Sequence, residues 1–254
     1  MGVLPGAEPF AADGGDVGVV LSHGFTGTPQ SMRPWAEALA AAGHSVRLPR
    51  LPGHGTRWQD LNDTRWPDWY GEVERAFDDL RGRCRVVFAM GLSMGGTLVL
   101  RLAEQRPAEV AGLVLVNPSL GTERWDVRHV LPLSHRLVGS LKGIASDIRK
   151  PGVTELAYDR TPLRAMHSLS QLWPLVVADL PRLTAPVLLY RSRVDHVVEP
   201  LSGRLLRAGA HSTDVTEVIL EDSYHVATLD NDAPTIFAGS VDWVRAHSTA
   251  PAAG

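Results

Sequence analysis

A serine lies at the centre of the glycine-rich pentapeptide GLSMG (91–95), and Gly96 follows directly. Residues 86–90 before it are apolar without polar alternation, as in a buried strand, and residues 97–104 return to helical spacing. A serine hydroxyl becomes a good nucleophile when a tight strand-to-helix turn holds it beside a base and the N–H groups of a helix start. Such a turn has little room for side chains, which accounts for the glycines. We therefore predict that Ser93 is a nucleophile; the alternative is an ordinary glycine-rich turn.

Attack by this hydroxyl needs a base that takes its proton and passes it to the leaving group, and histidine is suited to that exchange near neutral pH. In a parallel sheet, the partners of such a serine follow it in the order acid, then histidine, on loops after later strands. His225 fits, because it lies after the strand predicted at 216–220 and before the last predicted helix. His196 would have to act before an acid had appeared in its own loop, and His211 falls within or just after a helix. We predict His225 as the base.

The acid should hold the imidazole in one tautomer and stabilise its protonated form, so it should come from a strand end close to the histidine loop. Asp195 lies in the loop just beyond the predicted strand PVLLYRS. Glu199 in the same loop is the second candidate, and Asp222 is interpreted as a surface carboxylate. His196, next to Asp195, is interpreted as part of the wall of the site or as a residue that supports the catalytic groups, rather than as a catalyst. Asp195 is the predicted acid.

An ester carbonyl that becomes tetrahedral gains charge on its oxygen, and two fixed backbone donors stabilise that charge. One predicted donor is the N–H of Met94, directly after the nucleophile at the helix start. The other is the N–H of Phe25, in the loop HGFTG after the first long strand. His23 in that loop and His54 in the turn PGHG could be mistaken for bases, but at tight glycine-flanked turns we expect them to make structural hydrogen bonds.

Charge and composition limit the other possibilities. The chain of 254 residues has 25 basic and 28 acidic side chains and a formal charge of −3, which offers no electrostatic footprint for nucleic acid. Neither an H-E-x-x-H motif nor paired cysteines occur, so we expect no metal and no cofactor. The N-terminus lacks the basic and apolar regions of a leader, and no apolar run reaches the length of a membrane span. We therefore expect a cytoplasmic protein.

The elements that must position these residues alternate along the chain. Strand patterns and helix patterns follow one another from Val17 onward, which predicts an α/β fold with a mostly parallel central sheet flanked by helices. Residues 1–15, rich in Gly, Pro and Ala, are interpreted as a surface lead-in.

The alternation breaks between residues 118 and 169, where we expect short helical pieces and no strand. This predicts a core in two parts, 1–117 and 170–254, with a small helical cap inserted between them. Apolar residues in the insertion would line a pocket from the inner face of a lid or pack the insertion onto the sheet, and the sequence leaves both open.

Nearly the whole chain resembles bacterial monoacylglycerol lipases and the small carboxylesterases close to them, within the α/β-hydrolase fold. The shared segments begin with PGAEPF and HGFTGTPQSMRPWAEALAAAGH and continue with LPRLPGHGT, GLSMGGTL, SDIRKPGVTELAYDRTP, VDHVV and SYHVATLD. HGFTGTP and GLSMGG are shared across the esterases, whereas ELAYDRTP and SYHVATLD are narrower and favour the monoacylglycerol lipases. Residues 121–136 carry no matching motif.

The resemblance implies the triad Ser93, Asp195 and His225, and the backbone N–H groups of Phe25 and Met94 as the oxyanion hole. It also implies a small lid over an apolar acyl tunnel, with Ile144 lining the pocket and Glu155 binding the glycerol hydroxyls. Without the resemblance, the sequence indicates that Glu155 is a solvated carboxylate on a short helix and that Ile144 is a packing residue.

The leading hypothesis is hydrolysis of monoacylglycerols to glycerol and fatty acid, and the alternative is a general carboxylesterase for short to medium-chain esters. Thioesterase, C–C hydrolase and perhydrolase activities remain open within the same fold, as does a non-catalytic ligand-binding relative. The expected partner is a small lipid ester, with transient contact to lipid surfaces and none to nucleic acid. Oligomeric state and acyl-length preference do not follow from the sequence.

Overall fold

The computed structural model describes residues 2–143 and 146–248. Ile144, predicted to line the acyl pocket, lies outside the described residues. Within them, the main sheet has seven strands in the order β1-β3-β2-β4-β5-β8-β9, and a separate pair joins β6 to β7. The strands are β1 (Phe10–Ala12), β2 (Val17–Ser22), β3 (Ser45–Leu48), β4 (Val86–Leu92), β5 (Val110–Val116), β6 (Ser140–Lys142), β7 (Arg160–Pro162), β8 (Val187–Ser192) and β9 (Val215–Leu220).

All neighbours in the main sheet are parallel except β1, which pairs antiparallel with β3. The prediction of a mostly parallel sheet is confirmed. Interpreting residues 1–15 as a surface lead-in missed β1, because three residues, FAA, carry no usable pattern and form a strand only by pairing with Leu48, Arg47 and Val46.

Helices cover both faces of this sheet. They are α1 (Arg33–Ala41), α2 (Trp58–Asn62), α3 (Trp66–Arg81), α4 (Met94–Gln105), α5 (Leu131–Ser134), α6 (Leu163–Asp179), α7 (Leu201–Gly209) and α8 (Ala233–Ser248). Successive strand side chains point to opposite faces, so Val87 and Ala89 pack with α3, α4 and α6, while Phe88 and Met90 pack with α1 and α8. Every residue of β4 is buried, because both faces are covered.

Local sequence accounts for helix α3. In α3, the buried residues Trp69, Val73, Phe77 and Leu80 recur at intervals of three and four, which places them on one face. The carboxylate of Asp68 accepts the backbone N–H of Arg65 at 2.8 Å and satisfies a donor that the helix start leaves free. Helix α3 therefore begins at Trp66, directly after Arg65.

The stretch between β5 and β8 differs from expectation in two respects. It contains the short strands β6 and β7, paired antiparallel with Ser140 opposite Pro162, so the expectation that it holds no strand is wrong. These strands depend on contacts between distant residues and leave no local pattern. The stretch also contains α6, a 17-residue helix that begins after Pro162 and runs beyond residue 169, the predicted end of the insertion. Among the described residues, no helix combines the length and apolar character needed to cross a bilayer.

Candidate active site

Ser93 occupies the turn between β4 and α4, as its sequence context predicts. Its backbone has φ 55° and ψ −119°, a conformation that L residues rarely adopt outside sharp turns. The turn is held from both sides, since Ser93 N–H donates to the carbonyl of Val116 at 3.0 Å and the Ser93 carbonyl accepts from Ser119 N–H at 3.2 Å. Ser93 is thereby fixed to the end of the neighbouring strand β5.

Steric crowding explains the glycines around the serine. A Cβ at Gly95 would collide with the carbonyl oxygen of Ser22, and one at Gly91 would collide with the backbone of Gly95. Strand β2 therefore approaches the turn so closely that only glycine fits. The prediction that this turn excludes side chains is confirmed.

Asp195 and His225 meet at the carboxyl ends of β8 and β9. The Nδ1 atom of His225 lies 2.8 Å from Oδ2 of Asp195, and both side chains are at least nine-tenths buried. The other oxygen, Oδ1, accepts the backbone N–H groups of Val197 and Val198, each at 2.8 Å. An acid held in this way keeps the imidazole proton on Nδ1, so Nε2 is free to accept a proton. Glu199, the second candidate for the acid, instead accepts the N–H of Glu123 at 3.0 Å.

The two members of this pair have opposite pKa shifts. Burial raises the pKa of Asp195, but the charge of His225, its hydrogen bond and the two backbone N–H groups outweigh that effect and hold the pKa below its usual value. Burial lowers the pKa of His225, but the charge and hydrogen bond of Asp195, with the charges of Glu155 and Asp147, raise it above 6.5. The arrangement therefore stabilises an imidazolium next to a carboxylate.

A buried amide that the sequence analysis missed joins the serine side of the site to the histidine side. Asn117, directly after β5, donates from Nδ2 to the carbonyl of His225 at 2.8 Å and to Oγ of Ser192 at 3.0 Å. Its Oδ1 accepts the N–H of Ser192 at 2.8 Å. The backbone of Asn117 has a positive φ of 44°, which asparagine tolerates better than most residues. Asparagine before Pro118 had no signal in the sequence beyond its place at a strand end.

A cavity of about 410 Å³ opens over these residues. Ser93, Asp195 and His225 line it, together with Phe25 and Glu155. Its apolar side is formed by residues of the stretch after β5 and of α6: Val127, Val130, Leu131, Leu163, Met166, Leu169 and Trp173. The lining therefore includes both polar groups and a set of apolar side chains, as a cavity for an amphipathic ligand would.

The two predicted oxyanion donors belong to segments that adjoin Ser93. Met94 begins α4, so its N–H is among those that the helix leaves unpaired. Gly24, the residue before Phe25, lies against Ser93, since a Cβ there would be 3.4 Å from the serine Cβ. Within residues 2–143 and 146–248, neither the N–H of Phe25 nor that of Met94 donates to another group of the protein. Both N–H groups thus remain available for a ligand.

Glu155 differs from what its local sequence indicates. It lies on irregular chain rather than on a short helix, and its carboxyl lines the cavity rather than bulk solvent. The carboxyl oxygen lies against Gly27, where a Cβ would come within 2.6 Å of it. Burial raises the pKa of Glu155 to about 7, against the opposing effects of the His225 charge and a hydrogen bond with Ser31. A solvated surface carboxylate is therefore the wrong description.

The segment around Glu155 is tied to the core on either side of that residue. Leu156 N–H donates to Oε1 of Gln30 at 3.0 Å, and Tyr158 N–H donates to the carbonyl of Thr26 at 3.1 Å. The hydroxyl of Tyr158 donates to the carbonyl of Gly53 at 2.8 Å. These contacts give the motif ELAYDRTP a physical role, because they fix Glu155 over the loop that carries Phe25.

His23 and His54 have structural contacts, as expected. His23 is fully buried, and its Nε2 accepts the N–H of Leu51 at 3.2 Å, which leaves Nδ1–H to donate to the carbonyl of Gly24 at 3.0 Å. Burial lowers the pKa of His23 to about 4 and that of His54 well below its usual value. The lowered pKa values favour neutral imidazole rings, which is consistent with structural roles of His23 and His54 in their loops.

A parallel sheet with a serine on the turn after a central strand, and with a paired acid and histidine on later loops, defines the α/β-hydrolase class. The chain belongs to the family described as Serine aminopeptidase, S33, whose model matches residues 16–232. The predicted fold class is confirmed.

Two relatives and one solved structure show which members of this class the chain is similar to. The chain is 44% identical over 246 residues to a thermostable monoacylglycerol lipase of Bacillus sp. (strain H-257), covering 97% of each chain. It is 26% identical over 244 residues to a carboxylesterase of Bacillus subtilis (strain 168), covering 93% of this chain and 98% of the relative. A solved structure from work on the metagenome-derived lipolytic enzymes LipS and LipT matches with a TM-score of 0.94 and 44% identity, over 97% of this chain and all of the other. The resemblance inferred from the motifs is confirmed.

Proposed function

We propose that this protein is a carboxylic ester hydrolase that cleaves monoacylglycerols to glycerol and fatty acid through an acyl-enzyme on Ser93. The observation that carries the proposal is a single cavity that brings together the turn serine, the Asp195–His225 pair and the carboxyl of Glu155. The likeness to a monoacylglycerol lipase over 97% of the chain supports the choice of substrate.

In the first half of the reaction, Oγ of Ser93 attacks the ester carbonyl carbon while Nε2 of His225 takes the hydroxyl proton. The carbonyl oxygen becomes an oxyanion and accepts hydrogen bonds from the N–H groups of Phe25 and Met94, an arrangement worth several kcal/mol in related sites. The ester C–O bond then breaks, and the imidazolium passes its proton to the departing glycerol oxygen.

In the second half, His225 removes a proton from water, and the resulting hydroxide attacks the acyl carbon. The bond to Ser93 breaks, the imidazolium returns a proton to Oγ, and the fatty acid leaves. Asp195 stays ionised throughout and stabilises the imidazolium in both halves. The low pKa of Asp195 and the raised pKa of His225 support this division of roles.

Glu155 provides the acceptor for the glycerol hydroxyls in this proposal. A carboxylate accepts two hydrogen bonds from neighbouring hydroxyls, whereas an ester of a simple alcohol offers none. Its place beside Gly27 in the lining of the cavity supports this role. The acyl chain would occupy the apolar side; the assignment of Ile144 to that pocket stays a prediction.

Residues 118–169 form the cap in this proposal, and its outer face contacts lipid surfaces transiently. Large apolar side chains are exposed there, including Trp125 at 67%, Leu133 at 78% and Leu137 at 88%. A Leu133→Ser/Leu137→Ser variant should associate less with phosphatidylcholine vesicles containing monoacylglycerol, measured by sedimentation. Leu175→Ser, which removes an exposed leucine on α6, is the matched control and should bind as the parent does. Equal binding by all three proteins would reject this surface.

The test of the main proposal is a substrate panel with Glu155→Ala. Release of glycerol and fatty acid from a monoacylglycerol should fall by about tenfold or more in this variant, because a hydrogen-bonded polar partner is lost. Hydrolysis of the ethyl ester with the same acyl chain should change much less. Equal losses on both substrates would reject the role of Glu155, and a parent enzyme without activity on any monoacylglycerol would reject the substrate class.

A general carboxylesterase is the second candidate, favoured by the likeness to a carboxylesterase over 93% of the chain. Turnover restricted to small soluble esters would select it. The cytoplasmic location remains a prediction from the sequence.

A further inference from the structure

Asp147 contacts both loops that carry the acid and the histidine, and the mechanism above does not use it. Its Oδ2 accepts the backbone N–H of His225 and that of His196, each at 3.2 Å. Its Oδ1 lies 2.8 Å from Nδ1 of His196, and its own carbonyl accepts the N–H of Val226 at 3.1 Å. One residue from the stretch between β5 and β8 thus holds the loop after β8 to the loop after β9.

The same carboxylate adds to the charge around the imidazole of His225. Three carboxylates act on that ring: Asp195 through its charge and its hydrogen bond, and Glu155 and Asp147 through their charges. Asp147 itself is largely buried, with 11% of its side chain exposed. Two N–H donors and the ring nitrogen of His196 surround its oxygens, so water does not have to solvate them.

The residues directly after Asp147 make contacts of their own with neighbouring groups. Arg149, two residues further on, pairs with Asp222 at 3.0 Å. Its backbone N–H and that of Lys150 donate to the buried carboxylate of Asp230, at 2.7 and 2.9 Å. Asp230 also accepts the N–H of Tyr224 at 2.9 Å, so the segment after Asp147 is fixed to the same loop. Asp147 therefore sits on a rigid support rather than on a free chain.

We propose that Asp147 is a positioning residue of the active site: it locks the His225 loop onto the Asp195 loop and keeps a fixed negative charge beside the imidazole. The inference rests on the proposed function, because it acts through His225 as the base. It assigns to the motif SDIRKPG a role in setting the pH range of the reaction. It also predicts that the His196 ring acts as a hydrogen-bond partner of Asp147 rather than of Ser93.

Asp147→Asn separates charge from shape. The amide oxygen can take the place of Oδ2 and accept both backbone N–H groups, while the amide NH₂ donates to Nδ1 of His196 in its other tautomer. The loops would then stay in place, and only the negative charge would be lost. Asp147→Ala removes the charge and the hydrogen bonds together. Asp126→Asn is the matched control, because Asp126 lies in the same cavity with its carboxylate paired to Arg124 at 2.7 Å.

The experiment measures the rate of Ser93 labelling by an organophosphonate between pH 5 and 9, alongside hydrolysis of a monoacylglycerol over the same range. A nearby carboxylate raises the pKa of an imidazole, so its loss should move the acid limb of Asp147→Asn down by about half to one pH unit. The limb of Asp126→Asn should stay within about 0.2 units of the parent limb. Asp147→Ala should show the same shift and also a tenfold or larger fall in the limiting labelling rate.

The outcomes are distinguishable. An acid limb of Asp147→Asn that coincides with the parent limb, in a folded protein, would overturn the inference and leave the proposed function intact. A shift of equal size in Asp126→Asn would also overturn it, since any lost charge would then suffice. A parent protein in which Ser93 is not labelled would instead remove the proposed function.

Discussion

Replacement of Glu155 by glutamine should stabilise the protein in a strongly pH-dependent way. Burial raises the pKa of this carboxyl from 4.5 to about 7, so the folded state binds its proton more tightly than the unfolded state does. The contribution of this carboxyl to the free energy of unfolding of the wild type is therefore lost as the pH rises from 4.5 through 7. A glutamine does not titrate and avoids that loss.

The magnitude follows from the size of the shift. A difference of about 2.5 pH units corresponds to roughly 3.4 kcal/mol at 1.36 kcal/mol per unit. The cavity gives the carboxyl some contact with solvent, which screens part of this free energy. We therefore expect the stability of Glu155→Gln relative to wild type to increase by about 1–3 kcal/mol between pH 5 and pH 8.5.

The assay is urea unfolding of both proteins at pH 5, 7 and 8.5, followed by tryptophan fluorescence. Glu37→Gln is the control, because it is the same substitution at a glutamate that is exposed on α1. The reasoning would be refuted if the stability difference between Glu155→Gln and wild type were the same at pH 5 and pH 8.5. It would also be refuted if the difference decreased with pH.

Five further outcomes test the site. Ser93→Ala should reduce turnover to background with an unchanged circular dichroism spectrum, and His225→Ala should reduce kcat by about a thousandfold or more; residual activity near the parent level in either would exclude the triad. The acid limb of kcat/KM should have its midpoint above pH 6.5, because the carboxylates around His225 raise its pKa, and a midpoint below 6.5 would contradict that cause. Asn117→Ala should lose about 1–3 kcal/mol of unfolding free energy and lower kcat, because it leaves the His225 carbonyl without its donor; unchanged urea unfolding would contradict this. Gly95→Ala should misfold or lose nearly all activity, since its Cβ would collide with Ser22, and a folded, active variant would show that the turn can relax.

The sheet was predictable because its strands are coded locally. Short continuous apolar runs such as 86–90 and 110–116 are typical of buried strands, and helical spacing between them predicts parallel pairing. The weak elements were not predictable. Strands β1, β6 and β7 have three residues each and exist because a distant segment pairs with them.

The positions of Ser93, Asp195 and His225 at the strand ends were also predictable from the sequence. Each lies in the turn or loop that follows a strand pattern, and the carboxyl ends of parallel strands meet at one edge, so order along the chain predicts proximity in space. Glu155 had no such anchor. Its surroundings come from the loop at Gly27 and from the ties of Leu156 and Tyr158 to the core, which are contacts over more than a hundred residues of chain.

What the sequence determined by itself is therefore the local chemistry: a serine on a glycine-lined turn, an acid and a histidine at later strand ends, and a sheet to hold them. What only the tertiary structure decided is the electrostatic setting of that chemistry. The raised pKa of Glu155 and the clamp of Asp147 on His225 depend on burial and on backbone N–H groups from separate loops. Hydrogen bonds and desolvation act between groups that are distant in sequence, so no local pattern of residues could specify them.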